Sequence, residues 1–389
     1  MRVKSIKIKD VGGIRDLSLS FSPGMNILCG PNGVGKTTVL ESVAHSFSFQ
    51  SQILKRNALS SEGSVEIVAD IDSAEVPHVI TVRDFSPMQT SPVLGLHQNA
   101  NKLFSLKAER SFSYYALNAI QADVEKNPNT IFEEARNGIS TFDFKQWFVN
   151  RHMWAAHSNS LSNQQMSNYM LAVNCFKILD RAYEFHRVAA DTNDIMINSP
   201  RGEIYFEYLS SGFKSTLSIV FGIIKEIEFR FKKPHIVANE FDGVVLIDEL
   251  ELHLHPDWQA KLPGILTSIF PKCQFIATTH SPHIIQAANP KEVIALGSDD
   301  DGRTVRRQIP DAEFGFRGWT IEEVLTDVMG MSDTRTEQFE ESIKAFNGAV
   351  DEGDVGGAET AFERLDKMLH PGNELRKLLR LQMASIRLD

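Results

Sequence analysis

Apolar and polar residues alternate along the first part of the chain, which is the pattern of strands with one buried face. Four alternating stretches predict strands: Val3 to Ile8, Leu17 to Phe21, Val65 to Ile71 and Val79 to Arg83. Met25 to Cys29 is instead apolar throughout, as expected for a strand buried on both faces, and Thr37 to Ser46 follows it with helical spacing. The start of the chain therefore predicts several strands and one strand–loop–helix unit.

The pattern changes near residue 85 and again near residue 190. The span between them has mostly helical spacing with polar interruptions, which predicts a helical insertion. Its aromatic residues favour core packing over a base-stacking or partner surface: Tyr114, Tyr115, Trp147, Phe148 and Trp154. Two hairpins are predicted after it: Asp194 to Ile197 with Glu203 to Tyr208, and Val293 to Leu296 with Arg303 to Ile309.

The end of the chain is amphipathic at helical spacing. Phe339 to Val350 and Ala358 to Leu369 predict a helical hairpin, and Leu375 to Ile386 predicts a third helix. The whole pattern is that of an α/β protein. We predict four parts, with boundaries at residues 1–84, 85–190, 191–317 and 318–389.

Composition limits the classes of protein that this chain can belong to. Its 389 residues are 42% hydrophobic and 23% charged, as in an ordinary globular protein, and no apolar run approaches the length of a membrane span. The N-terminus has no secretory pattern and the three cysteines have no metal-binding spacing, so we expect a cytoplasmic protein with buried thiols and no membrane contact.

The formal charge of −10 argues against a generalised nucleic-acid binder. Contact with nucleic acid stays possible through a local patch. Two candidates are the groups Arg230, Lys232 and Lys233, and Arg376, Lys377 and Arg380.

Gly30 to Thr37 reads G-P-N-G-V-G-K-T, a complete phosphate-binding loop between a strand and a helix. Its backbone N–H groups and the helix N-terminus suit phosphate oxygens. We expect Lys36 to reach the β- and γ-phosphates, Thr37 to bind Mg²⁺ and Thr38 to contact the α-phosphate. The sequence thus predicts an enzyme that hydrolyses ATP with Mg²⁺. The predicted ATP-binding residues of the loop are Gly30, Asn32, Gly33, Gly35, Lys36, Thr37 and Thr38.

Val244 to Glu249 reads V-V-L-I-D-E, a short apolar strand that ends in two carboxylates. Open α/β sheets bind ligands at the carboxyl ends of their strands, so these carboxylates should lie near the phosphate loop. We expect Asp248 to hold Mg²⁺ and Glu249 to polarise the attacking water.

Two more polar segments lie next to predicted elements, one at the start of a helix and one at the end of a strand. Leu209 to Ser215, L-S-S-G-F-K-S, opens a helix, although a serine cap followed by glycine is by itself only a helix start. Thr278 to Ser281, T-T-H-S, ends the apolar run Gln274 to Ala277. We expect that strand to lie beside the strand of Asp248, so that His280 can contact a γ-phosphate.

In this order, the four segments resemble those of an ABC-type ATPase head of the RecF/SMC branch, and not those of a membrane transporter. L-I-D-E-L-E-L-H-L-H-P and T-T-H-S-P are similar to sequences of stand-alone anti-phage ATPases: the Septu-type and retron-associated ATPases and the ATPase half of OLD-family proteins. The resemblance covers residues 1–50 and 205–300. It implies a P-loop ATPase head formed by 1–84 and 191–317, with 85–190 as a mostly helical insertion and 318–389 as a C-terminal helical appendage.

The resemblance also implies that ATP joins two subunits. Leu209 to Ser215 would be the signature motif and His280 the switch histidine, and Ser210, Ser211 and Gly212 of one subunit would bind the γ-phosphate held by the other. The chain would then be a homodimer or higher homo-oligomer, the sensor or motor of a bacterial anti-phage complex whose effector, expected to be a nuclease, is a separate protein. Two alternatives stay open: a RecF-like DNA-repair clamp, and an ATP-clamped assembly module without turnover.

The chain departs from the family pattern at Phe213, where Gln or Glu is common. A metal-sensing glutamine is also expected, and Gln121 and Gln146 are both candidates. His253 and His255 resemble a metal-binding pair but lie in the predicted intersubunit loop. We therefore assign metal binding to Thr37 and Asp248 alone.

Overall fold

Two units make up the chain in a computed structural model, Met1–Gly330 and Met331–Asp389. The structure describes residues 1–49, 53–88, 91–92, 94–108, 114–123, 125–141, 143–331 and 335–386. Within these ranges, no helix combines the length and the apolar character that a bilayer crossing requires. Cys29, Cys175 and Cys273 are buried free thiols, as predicted. The four predicted domain boundaries stay predictions.

The described elements of the first unit begin with its strands, which in chain order are β1 (Arg2–Val11), β2 (Ile14–Ser20), β3 (Met25–Cys29), β4 (Gly63–Ile71), β5 (Ala74–Val82), β6 (Leu103–Leu106), β7 (Glu184–Val188), β8 (Ile195–Ser199), β9 (Gly202–Tyr205), β10 (Val244–Ile247), β11 (Gln274–Thr278), β12 (Val293–Ser298) and β13 (Thr304–Arg306). Its helices are α1 (Lys36–His45), α2 (Pro128–Asn137), α3 (Phe144–Ala155), α4 (Asn163–Leu179), α5 (Ser211–Arg230), α6 (Pro256–Ile269), α7 (Pro282–Ala287) and α8 (Ile321–Glu323). The second unit contains α9 (Glu337–Asp351), α10 (Val355–Met368) and α11 (Leu375–Ile386), which confirms the predicted hairpin and third helix.

A six-stranded sheet forms the centre of the first unit, in the order β13-β12-β3-β11-β10-β6. The strands from β12 to β6 run parallel, and β13 is antiparallel to β12. All residues of β3, β10 and β11 are buried, which explains their apolar sequences. The strand before His280 therefore lies beside the strand before Asp248, as predicted. Because carboxyl ends of parallel strands share one edge, the loops after β3, β10 and β11 meet there.

A second, antiparallel sheet has the order β2-β1-β4-β5. Its strands alternate between buried and exposed residues, which confirms the strands predicted from alternation. Helix α1 contacts β1 of this sheet and also β10 and β11 of the central sheet. Val39 and Val43 of α1 are fully buried, so the helix that follows the phosphate loop is fixed between the two sheets.

The span from residue 85 to 190 is less uniformly helical than its sequence pattern predicts. It contains α2, α3 and α4, but also β7 and the four-residue strand β6, which pairs with β10 at the edge of the central sheet. Four residues are too few for periodicity to distinguish a strand from a helix. Trp147 and Phe148 are fully buried where α3 packs against α4 and α5, which confirms core packing for these two. Tyr114 and Trp154 remain about half exposed.

The carboxyl half of α5 carries a layer of buried charges. Glu226 lies 2.6 Å from Nζ of Lys126 and 3.2 Å from Nε of Arg230, and Arg230 also lies 2.8 Å from a carboxylate oxygen of Glu134. The Arg230 side chain is fully buried in this network. Arg230 is therefore excluded from the candidate nucleic-acid patch, since its charge is enclosed by carboxylates.

Candidate nucleotide site

The loop between β3 and α1 needs glycine at both of its ends. Gly30 has a φ of 140°, and a Cβ there would lie 2.2 Å from the carbonyl oxygen of Leu296. Gly35 has a φ of 95°, and a Cβ there would lie 2.8 Å from Cγ1 of Ile14. Any side chain would clash and strain the backbone at these positions. The glycines thus allow the tight turn from β3 into α1 that the motif predicts.

Lys36 lies folded over this loop. Its Nζ donates hydrogen bonds of 2.8 Å to the carbonyl oxygens of Gly30 and Pro31. The residue is 6% exposed, and burial lowers the pKa of its ammonium group. Anionic phosphate oxygens are stronger acceptors than neutral carbonyls. The ammonium is therefore positioned to exchange these two partners for a nucleotide phosphate.

Side chains at the ends of two neighbouring strands join the phosphate loop. Asp248, the residue after β10, has its Oδ1 3.2 Å and its Oδ2 3.4 Å from Oγ1 of Thr37. Thr278, the last residue of β11, donates a hydrogen bond of 2.6 Å from Oγ1 to Oδ1 of Asp248. The two residues predicted to hold Mg²⁺ are thus brought together, and a third residue orients one of them.

The donor set fits Mg²⁺. A hydroxyl and a carboxylate are hard oxygen ligands, and Mg²⁺ commonly takes one or two protein carboxylates together with phosphate oxygens and water. Across the described part of the chain, no three His, Cys, Asp or Glu side chains are grouped to hold a metal ion by themselves. Thr37 and Asp248 would hold the ion together with the nucleotide, where Mg²⁺ supplies charge neutralisation at the phosphates.

Glu249 has an unusual backbone conformation for a residue other than glycine. Its φ is 51°, in the left-handed region. Its N–H donates a hydrogen bond of 2.8 Å to Oγ1 of Thr278, and the N–H of Leu250 donates one of 2.9 Å to the Thr278 carbonyl. Such strain persists where neighbouring contacts enforce it, and it is concentrated at functional sites. Contacts with β11 therefore fix the backbone of the predicted water-activating carboxylate.

Glu251 holds the polar segment after β11. Its Oε2 accepts a hydrogen bond of 2.6 Å from Oγ1 of Thr279, and its Oε1 accepts one from the backbone N–H of His280. Partial burial lowers the pKa of His280, and the charge of Lys36 lowers it further. His280 therefore lies within electrostatic reach of the phosphate-loop lysine.

The predicted signature segment forms the N-terminus of α5, and its first two serines, Ser210 and Ser211, are exposed. Oγ of Ser210 accepts a 3.3 Å hydrogen bond from the N–H of Phe213 and caps the helix, and Ser211 is the first helical residue. Gly212 packs under Trp258, where a Cβ would lie 2.8 Å from Cδ1 of the indole. The helix thus presents hydroxyls and its positive end to solvent, a combination that suits an anion.

Phe213 is part of the core in this chain. It is 3% exposed, and its ring centroid lies 5.3 Å from that of Trp258 and 5.2 Å from that of Tyr183. A phenyl ring offers no hydrogen-bonding group. The position where relatives commonly carry Gln or Glu therefore packs the start of α5.

The two glutamine candidates for metal sensing contact each other. Gln121 precedes α3, and Gln146 lies in the first turn of α3. Nε2 of Gln146 donates a 3.1 Å hydrogen bond to the carbonyl of Gln121, which also accepts one of 3.0 Å from Asn150. The sequence analysis placed the strand of T-T-H-S beside that of Asp248 but missed the roles of Thr278 and Glu251, because their contacts depend on the register of the two strands and on the path of the chain after them. In the sequence, the doubled threonine of T-T-H-S and the second glutamate of D-E-L-E were the features that could have pointed to these two residues. The ligand roles assigned to Asn32, Gly33, Thr38 and the other loop residues stay predictions.

Comparisons with known sequences place the chain among ATPases. Residues 103–286 match the family described as "AAA domain, putative AbiEii toxin, Type IV TA system", and residues 5–172 match an "AAA domain" family. The chain is 46% identical to Septu protein PtuA of Bacillus thuringiensis over 387 residues, which cover 98% of each protein. It is 24% identical to Septu protein PtuA of Bacillus mycoides over 362 residues, or 85% of this chain and 45% of that one. It is 33% identical to the "Retron Vc95 probable ATPase" of Vibrio cholerae over 107 residues, or 28% of this chain and 21% of that one.

Among solved structures, the SMC head domain from Thermotoga maritima superposes with a TM-score of 0.46 at 16% identity. The superposition covers 80% of this chain and 100% of that domain.

Proposed function

Since this chain belongs to the Septu PtuA family, a group of ABC-type ATPases of the RecF/SMC branch in anti-phage defence, we propose that it hydrolyses ATP with Mg²⁺ as the sensor or motor of a defence complex. ATP would join two copies of the chain into a dimer, and hydrolysis would release them. The effector that this cycle controls is a separate protein, which we expect to be a nuclease.

The hydrogen-bonded link from Thr37 through Asp248 and Thr278 to Glu249 carries the proposal for turnover. It connects the phosphate loop to the predicted water-activating residue through bonds of 3.2, 2.6 and 2.8 Å. A module that only holds ATP has no need of a carboxylate on a strained backbone beside the phosphate loop. The link therefore favours hydrolysis over the clamp without turnover.

The chemical step follows from these positions. A water attacks the γ-phosphorus, the carboxylate of Glu249 takes a proton from that water, and the bond to the β-phosphate oxygen breaks to give ADP and phosphate. Lys36 and the N–H groups of the loop bind the negative charge that the phosphate oxygens carry. His280, after the neighbouring strand β11, would contact the γ-phosphate.

The exposed N-terminus of α5 supports the proposal of a dimer. Ser210 and Ser211 present hydroxyls to solvent at the positive end of a 20-residue helix. A nucleotide phosphate that is bound by a second subunit, and is only partly neutralised there, is a suitable partner for this end of the helix. Each of two sites would then combine the phosphate loop of one subunit with α5 of the other.

Glu249→Gln tests turnover and dimerisation together. The amide has the size of the carboxylate but does not accept the proton, so we expect the variant to bind ATP with Mg²⁺, to release phosphate at under about a hundredth of the wild-type rate and to sediment as a dimer. Phosphate release and sedimentation velocity with saturating ATP are the measurements.

Glu240→Gln is a matched control, because Glu240 is an exposed carboxylate paired with Lys272 away from the loop. Wild-type turnover by Glu249→Gln would refute the role of Glu249. A Glu249→Gln protein that binds ATP and still sediments as a monomer would refute the dimer.

A further inference from the structure

A second contact between α1 and the central sheet lies one helical turn beyond Thr37. Thr37 and Glu41 are four residues apart and so lie on the same face of α1. Thr37 meets Asp248, the residue after β10, and Glu41 meets Lys107, the residue after β6, with Nζ of Lys107 3.6 Å from Oε1 of Glu41. The two contacts are parallel links from one helix to two adjacent strand ends.

The strand register places Lys107 beside Asp248. Leu106 pairs with Ile247 in the parallel pair of β6 and β10, and the N–H of Asp248 donates a 2.9 Å hydrogen bond to the carbonyl of Leu106. Adjacent strands lie about 4.8 Å apart, and paired residues of parallel strands project to the same face. Lys107 and Asp248 therefore leave the sheet side by side, on the face that α1 covers.

Gly138 leaves room for the Lys107 side chain. This glycine follows α2 with a φ of 94°, and a Cβ there would lie 2.9 Å from Cγ of Lys107. The side chains of Lys107 and Glu41 are 25% and 28% exposed. At such partial burial, water screens the charges incompletely, so a charge here acts on a nearby divalent ion.

We propose that Glu41 and Lys107 form a charge-balanced positioning pair that sets the affinity of the site for Mg²⁺. This inference rests on the proposed function, because Thr37 and Asp248 hold the ion there. The Lys107 ammonium repels Mg²⁺ and the Glu41 carboxylate attracts it. Because the two charges are opposite, their net electrostatic effect on an ion bound at Asp248 is small. The sequence analysis sought an amide for metal sensing; the structure places a lysine at the end of the strand next to Asp248.

The two single variants should change Mg²⁺ binding in opposite directions. Glu41→Gln leaves the ammonium unbalanced and should raise the Mg²⁺ concentration for half-maximal nucleotide binding by roughly three- to tenfold. Lys107→Met leaves the carboxylate unbalanced and should lower that concentration by a similar factor. The double variant should return close to the wild-type value, and Lys107→Arg, which keeps the charge, should resemble wild type.

The measurement is calorimetric titration of a non-hydrolysable ATP analogue at a series of Mg²⁺ concentrations, with thermal unfolding as a check of folding. Opposite shifts that cancel in the double variant support the pair. Shifts in the same direction, or no shift in folded variants, overturn it and leave the proposed function intact. A wild-type protein that does not bind the analogue with Mg²⁺ refutes the proposed function, and the inference falls with it.

Discussion

The hydroxyl of Thr278 donates a 2.6 Å hydrogen bond to the carboxylate of Asp248. The same oxygen accepts a 2.8 Å hydrogen bond from the N–H of Glu249. One side chain on β11 therefore orients the predicted metal ligand and fixes the backbone of the predicted water-activating residue.

Thr278→Val should impair turnover more than nucleotide binding. The valine has nearly the same shape but removes the hydroxyl that accepts from the N–H of Glu249 and donates to Oδ1 of Asp248, which keeps only its longer contact with Thr37 among the hydrogen bonds described above. We expect a fall in kcat of roughly ten- to a hundredfold, as for other groups that orient metal ligands. Steady-state kinetics checks this. Thr278→Ser keeps the hydroxyl and should recover most of the activity, and equal losses in both variants would contradict the hydrogen-bonding role.

Lys36→Ala should remove most of the nucleotide affinity. We predict that the ammonium group exchanges its two hydrogen bonds to loop carbonyls for stronger bonds to phosphate oxygens, which carry the opposite charge. Without it, we expect ATP to bind roughly a hundredfold more weakly or worse. Isothermal titration calorimetry measures this. Lys4→Ala, at a lysine paired with Glu75 on the four-stranded sheet, is the control. An unchanged affinity for Lys36→Ala would rule out the assigned role.

Mixing two inactive variants should test whether sites are shared between subunits. Ser211→Asp puts a negative charge at the exposed end of α5, where acidic residues suit the helix but repel a phosphate. Gly212 is a poorer position for the same test because a Cβ there would clash with Trp258. An equal mixture of Ser211→Asp and Lys36→Ala should recover up to about a quarter of wild-type turnover, since half of the dimers contain one intact site. No recovery, despite mixed dimers in the sample, would contradict shared sites.

Glu226→Gln should destabilise the first unit strongly. Burial alone would raise the pKa of Glu226, but Lys225, Arg230 and Lys126 outweigh it and lower the pKa to about 2. Removing the carboxylate leaves three largely buried cations with two carboxylates, Glu134 and Asp143, and we expect a loss of about 3–5 kcal/mol in the free energy of unfolding by urea. Glu75→Gln removes an exposed ion pair and should stay near wild type. The wild-type contribution is present above the usual glutamate pKa and is lost as pH falls towards 2.

His45 should make the protein less stable in mild acid. Burial lowers the pKa of this histidine to about 4, and its Nε2 accepts a 3.1 Å hydrogen bond from the N–H of Ile53, so the folded state keeps the ring neutral. Between about pH 6.5 and 4 the unfolded chain binds the proton and the folded chain does not, so stability falls as pH falls. We expect about 2 kcal/mol lost from this group at pH 5.

The comparison of His45→Gln with His157→Gln checks this assignment, because His157 is exposed. Unfolding free energies are measured at pH 7 and pH 5 for both variants. The first variant should lose less stability between the two pH values than wild type, and the second should follow wild type. A pH dependence that His45→Gln leaves unchanged would assign the acid sensitivity to other groups.

The sequence by itself determined the local units of this protein. The phosphate loop, the strand that ends in Asp248 and Glu249, and the C-terminal helices are short patterns whose residue types specify their own backbone, so they are readable without tertiary contacts. The glycines at positions 30 and 35 and the apolar runs of β3, β10 and β11 are of this kind.

Only the tertiary structure decided which of these units meet. β6 has only four residues, too few to show the alternation of buried and exposed positions that predicts a strand. Its pairing with β10 nevertheless brings Lys107 beside Asp248, and Nζ of Lys107 lies 3.6 Å from Oε1 of Glu41. Thr278 gained its role because the strand register pairs Ala277 with Ile247 and so puts the next two residues side by side. Arg230 is excluded from the candidate nucleic-acid patch because it is buried among carboxylates. The physical reason is the same in each case: hydrogen bonds and ion pairs depend on distances between side chains far apart in the chain, and strand order and helix packing set those distances.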